Sequence, residues 1–169
     1  MLIQLYIAQS TLGRAVSAHL QVTLGLPFRA TLDISTPSPL DSPELLGSPA
    51  RIEITGDEGT SAIHHGIIAS ISAIAAANPD AQRQYTLEIR STIELLTLRK
   101  NARVFRKKNA VAIVKEMLAE IGIEGEAFVS EVGEDPPERE YITQWNETDD
   151  VFLRRICEEE GLYFRFDPK

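Results

Sequence analysis

Apolar and polar residues alternate through most of the first half of the chain, and the period becomes helical in the second. Alternation sets one face of a strand in a core and the other in water, whereas apolar positions three and four apart line one face of a helix. Leu2-Ile3-Gln4-Leu5-Tyr6-Ile7 reads as a strand or as part of an arm, so 1–16 stands apart as an N-terminal arm or edge strand. A strand follows over 16–24, ended by Gly25 and Pro27. The next, over 28–34, carries Phe28, Ala30, Leu32 and Ile34 on one side. Pro37, Pro39 and Pro43 cannot donate to a ladder, so they mark a Ser/Pro-rich connection. Ala50, Ile52 and Ile54 then face one way and Arg51, Glu53 and Thr55 the other. After a turn at 56–59, a long strand over 62–76 places Ile67, Ala69, Ile71, Ala73 and Ala75 on one face. A turn at 78–80 leads to alternating Tyr85, Leu87 and Ile89, which completes a β-hairpin.

In the second half, Asn109 is placed to cap a helix whose stripe is Val111, Val114, Met117, Leu118 and Ile121, stopped by Gly122. A loop rich in Glu, Gly and Pro runs to Pro137, and 141–145 reads as a strand. Thr148 caps the last helix, with Asp149 and Asp150 in its positive first turn. Phe152, Leu153 and Ile156 form its inner face, Gly161 ends it, and 162–166 reads as an apolar strand that suggests a longer natural protein. The fold class expected is α+β, mainly β: an antiparallel barrel over 17–108, then a small α/β segment of helix, strand, helix and strand over 109–169.

Composition narrows the chemistry. The 169 residues fit one domain of ordinary size or two small ones, and 43% apolar content suffices for a core. The net charge of −8 argues against nucleic acid as the main partner. The single cysteine, Cys157, permits no internal disulfide and reads as a buried thiol. The start has no basic segment of the kind that opens a signal peptide, so the protein is expected to be made in the cytoplasm without one. No apolar run reaches the length of a membrane span.

Of three histidines, adjacent His64 and His65 point to opposite faces of a strand and cannot easily share a metal. No P-loop, dinucleotide fingerprint or nucleophile elbow is present, so no catalytic residue, cofactor or metal is assigned. The cluster Arg99, Lys100, Arg103, Arg106, Lys107 and Lys108 stands out in an acidic chain. Nucleic-acid binding is one reading, weakened because no aromatic beyond Phe105 accompanies the run. The cluster reads better as a solvated face, or as a subunit interface in which Arg99, Lys100, Arg103 and Arg106 meet the acidic half of a neighbour. Glu158-Glu159-Glu160 lie at the negative end of the last helix, where the macrodipole disfavours them; a solvated turn or a partner site would explain them.

Three blocks carry a resemblance. They are Leu45-Leu46-Gly47-Ser48-Pro49-Ala50 with His65-Gly66-Ile67-Ile68, the stretch Leu95 through Phe105, and Glu140, Tyr141, Gln144, Glu147, Asp149, Phe152, Arg155, Glu158, Glu159, Glu160, Gly161 and Tyr163. Together they resemble the VgrG spike proteins of type VI secretion, kin to the hubs of contractile phage tails. Trp145, Thr148 and Ile156 depart from the family residues but keep an aromatic, a cap and an apolar group. The match runs from about residue 28 to the end.

The resemblance implies a structural, non-enzymatic hub within a homotrimer that joins a tail-tube (Hcp-like) hexamer to a needle. It implies barrels whose strands pair between subunits, a second barrel and a spike beyond this chain, and export through the type VI apparatus. Effectors, a spike-tip protein and transient contact with a target membrane are the further partners implied. The same fold in a contractile phage or prophage tail, and a hydrolase acting on cell wall, are the alternatives.

Overall fold

A sheet in which every second residue is apolar hides that face by curling on itself. A computed structural model describes residues 2–7, 10–23, 26–56, 61–74 and 82–166. The chain divides into two units, Met1–Ser91 with Arg165–Lys169, and Thr92–Phe164.

The first unit holds β1 (Leu2–Ile7), β2 (Ser10–Gln21), β3 (Arg29–Thr36), the short helix α1 (Ser42–Leu45), β4 (Pro49–Thr55), β5 (Ser61–Ile74) and β6 (Arg83–Ser91). The strands form a closed antiparallel barrel in the order β1-β2-β3-β6-β5-β4. Leu5, Phe28, Leu32, Ile34, Ile52, Ile68, Leu87 and Ile89 fill it. The stretch read as an arm or edge strand has a larger role: β1 pairs with β2 on one side and with β4 on the other, and so closes the barrel. Its Leu5 is fully buried. The barrel therefore closes within one chain, not by the strand pairing between subunits that the resemblance implies. Closure satisfies the ladder groups that an open edge would leave bare.

Two details depart from simple alternation. Ala69 is an extra residue in β5, so Ile68 faces Ile89 while Ile71 faces Leu87. A bulge of this kind moves the following side chains to the other face. Ile68 is thus in the core while Ile67 is only partly buried, and the continuous face expected over Ile67, Ala69 and Ile71 is broken at the bulge. Gly66 is required by a close approach, since a Cβ there would lie 2.3 Å from the Arg90 carbonyl oxygen. The turns read at 56–59 and 78–80 fall largely outside the described residues.

The second unit begins with a 3-10 segment (Thr92–Leu98), then β7 (Lys100–Lys108), α2 (Ala110–Ala119), a short 3-10 turn (Gly125–Ala127), β8 (Arg139–Thr148) and α3 (Asp149–Glu159). The boundary falls after Ser91 and not after Lys108, because β7 pairs with β8 and, among the described residues, with no barrel strand. A lone two-stranded sheet is marginal in water. Here Phe105 and Ile142 pack with Leu96, Ile113, Met117, Phe152 and Ile156 in a separate core. Asn109 caps α2 as its side chain accepts from the Ala112 N–H at 2.8 Å. Residues 162–166 form no strand, contrary to the apolar strand expected there. No helix among the described residues is long and apolar enough to cross a membrane.

His64 is buried inside the barrel with its ring centroid 5.1 Å from that of Phe28. Burial lowers its pKa, with a smaller push from His65. The unfolded chain then binds more protons than the folded one as pH drops below the ordinary histidine value of about 6.5. Stability contributed here is complete above that pH and is lost below it, at up to about 1.4 kcal/mol per pH unit. Thermal unfolding followed by circular dichroism should show the midpoint falling from pH 6.5 to 5. The variant His64→Leu should lose that component.

Candidate functional site

The sequence motifs of the second unit converge on one buried carboxylate. Asp149 is the first residue of α3 and has no solvent exposure. Its backbone N–H donates to the Arg99 carbonyl at 2.9 Å, which ties the helix start to the entry of β7. Oδ1 accepts from Asn101 Nδ2 and from Gln144 Nε2, both at 2.8 Å. Arg99 Nε lies 3.1 Å from Oδ2 and Arg103 Nη2 lies 3.1 Å from Oδ1. Those two approaches are ion pairs, because Arg103 Nη2 and Asp149 Oδ2 make no hydrogen bond of good angle. Gln144, itself fully buried, accepts from Arg103 Nε at 2.8 Å and donates to the Glu147 carbonyl at 3.1 Å. Glu120, at the end of α2, pairs with both Arg99 and Arg103.

A backbone irregularity makes this possible. Asn101 faces Glu147 while Ala102 faces Trp145, so Asn146 is an extra residue in β8. It sits at φ +51°, a left-handed conformation that asparagine tolerates better than most side chains. The bulge lets Gln144 keep its inward face while the chain turns into α3.

A second, more exposed network joins β8 to α3. Arg155 donates to Glu147 at 2.6 Å, to Glu159 at 2.9 Å and to the Thr143 carbonyl at 3.0 Å. Arg139 pairs with Glu159 and Glu160. Hydrogen bonding from Arg155 holds the Glu147 carboxyl below its ordinary range, and hydrogen bonding from Arg139 does the same for Glu159. Within the acidic run at the end of α3, Glu159 and Glu160 are therefore met by the chain's own arginines, while Glu158 is exposed. Gly161, at φ +67°, lets the Leu162 N–H return to the Cys157 carbonyl at 2.8 Å and closes the helix.

The remaining motif residues sort by face. Phe152 is buried and stacks on Phe105 with centroids 5.5 Å apart. Thr148 occupies the cap position of α3, but its hydroxyl donates to Asp150 at 2.6 Å and makes no capping bond to the backbone, a correction to the expected cap. Glu140, Tyr141 and Trp145 are exposed. Of the basic cluster, Arg99 and Arg103 pair with carboxylates of their own unit instead of lying open to a neighbour, and Lys108 pairs with Glu116. Arg106 lies over the Tyr141 ring at 5.3 Å, and Lys100 is exposed. Asn101, which lies within the Leu95–Phe105 block, joins these networks, as do Glu120 and Arg139, to which no sequence motif points. Their partners lie 17 to 48 residues away, beyond any local pattern.

Asp149 is enclosed by its own unit. Oδ1 accepts two side-chain hydrogen bonds and Oδ2 faces the Arg99 guanidinium, an arrangement that suits holding elements together. Among the described residues, no group of three or more His, Cys, Asp or Glu is placed to hold a metal ion.

Residues 22–169 match the model of the phage tail baseplate hub family. The chain is 35% identical over 143 residues to the type VI secretion system spike protein VgrG5 of Pseudomonas aeruginosa, covering 83% of this chain and 18% of that protein. It spans less than a fifth of the length of the curated relatives it matches first. A tail protein from Neisseria meningitidis has a similar fold, with TM-score 0.71 at 17% identity over 99% of this chain and 48% of that one. So does the Escherichia coli c3393 protein, a type VI secretion component with structural similarity to bacteriophage T4 tail proteins, at TM-score 0.63 and 18% identity over 92% of this chain and 43% of that one.

Removing a buried carboxylate that faces two arginines should cost about 3–5 kcal/mol, whereas an exposed pair is worth about 0–1 kcal/mol. Urea unfolding should therefore show Asp149→Ala far less stable than Lys108→Ala. Burial, with help from Glu158, pushes the Cys157 thiol up to about 11. At pH 8 only about a thousandth of it is thiolate, so the folded chain should resist iodoacetamide and become labelled only on unfolding.

Proposed function

We propose a structural role from a plain premise: the chain belongs to the phage tail baseplate hub family. It serves as hub part of a cell-puncturing spike in type VI secretion. Three copies ring the axis, one face meets the hexameric tail tube, and the needle extends from the other. The observation that carries this reading is the 35% identity to a type VI spike protein over most of the chain. The enclosed Asp149 network of the second unit supports it, because its motif residues hold elements together.

The mechanism is mechanical. Contraction of a sheath drives the spike forward, and the hub must carry load without opening. A barrel closed within one chain has no edge to peel, and a carboxylate clamped by two arginines resists local unfolding. Effector and spike-tip partners, and transient contact with a target membrane, belong to the assembled spike. Export follows the type VI route.

A chimera tests this reading. This chain replaces the matching segment of the Pseudomonas aeruginosa VgrG5. Light scattering should give the mass of three copies, and cells carrying the chimera should still release tail-tube protein. A chimera that folds but stays a single copy at all concentrations would remove the hub role.

A further inference from the structure

The outer face of the β7–β8 sheet is uncovered and chemically uneven. Alternation and register place Ala102 opposite Trp145, Val104 opposite Thr143 and Arg106 opposite Tyr141, all on the side away from Phe105 and Ile142. Trp145 is 78% exposed, Tyr141 57% and Val104 56%. Lys100 falls on the same face by alternation. The face thus combines aromatic rings with two cations and carries no carboxylate. Tryptophan, tyrosine and arginine together are the composition of binding hot spots.

The same unit carries a segment of opposite character. Residues 134–138 read Glu-Asp-Pro-Pro-Glu, form no helix or strand, and expose all three carboxylates. Paired prolines favour an extended conformation that lies flat on aromatic rings, and flanking carboxylates complement cations beside those rings. This segment cannot serve its own Trp145. Pro137 enters the far end of β8, eight residues and about 26 Å of extended chain away.

We infer that the Trp145 face receives the 134–138 segment of a second copy of this chain. The two patches differ, so the contact is head-to-tail and can close into a ring. It takes the place of the broader basic interface, because Arg99 and Arg103 are held by Asp149 and Glu120 while Arg106 and Lys100 face outward. The multi-copy context rests on the hub reading.

Trp145 is the only tryptophan, so its fluorescence reports the contact directly. Emission from the 169-residue chain should shift to shorter wavelength as concentration rises and return as salt is added. Arg106→Glu alone, and the double variant Glu134→Lys with Asp135→Lys alone, should each weaken association by about tenfold or more. Mixing the two variants should restore it, since each then offers one complementary patch. All three positions are exposed, and circular dichroism should show the fold unchanged. An emission maximum that does not move with concentration overturns the contact, as does a shift that Arg106→Glu leaves intact. Light scattering on the same samples separates the two readings: association without change at Trp145 removes this contact and leaves the hub in place.

Discussion

One buried carboxylate organises the second unit. Asp149 sits where the entry to β7, the end of β8 and the start of α3 meet, and Glu120 brings in the end of α2 through the same arginines. A charge taken out of water is costly unless it is paired and hydrogen-bonded. That cost selects the arrangement: Arg99, Arg103, Asn101 and Gln144 must all point inward, which fixes the register of β7 against β8 and the angle at which α3 begins. The stacked pair Phe105–Phe152 then packs beneath a frame already set.

The first unit solves a different problem. Its apolar residues alternate over six strands, and the remaining liability is the edge. β1 removes it by pairing on both sides. The second unit keeps a two-stranded sheet, and its edges carry charge instead: Arg155 reaches the outward Thr143 carbonyl of β8, and β7 is rich in Lys and Arg. The basic cluster that stands out in an acidic sequence is thus explained in part by its position on an edge strand, and in part by the buried acid it pairs with.

Local features of this fold are legible in the amino-acid sequence. Strands with clean alternation, the Asn109 cap and the Gly161 stop depend on a few neighbouring residues, so they leave a local pattern. The family blocks point to the hub fold. Non-local features leave no such trace. The pairing of β1 with β4 joins strands more than forty residues apart, and nothing in Leu2–Ile7 distinguishes a closing strand from an arm. The bulges at Ala69 and Asn146 shift a face by one residue without changing composition. Arg139 with Glu159, and Arg99 with Glu120, meet across about twenty residues. The acidic run on α3 and the basic run on β7 therefore read as open patches along the chain, although Glu159, Glu160, Arg99, Arg103 and Lys108 form internal pairs.

The central claim is that Asp149 and its arginines act as one unit, and a double-mutant cycle on Asp149→Asn and Arg103→Gln measures that directly. Unfolding free energies of the parent, both single variants and the double variant give the coupling. Contact in a buried network predicts a coupling of about 0.5–3 kcal/mol. Additivity within about 0.3 kcal/mol would mean that the two side chains stabilise the fold independently, and would contradict the account.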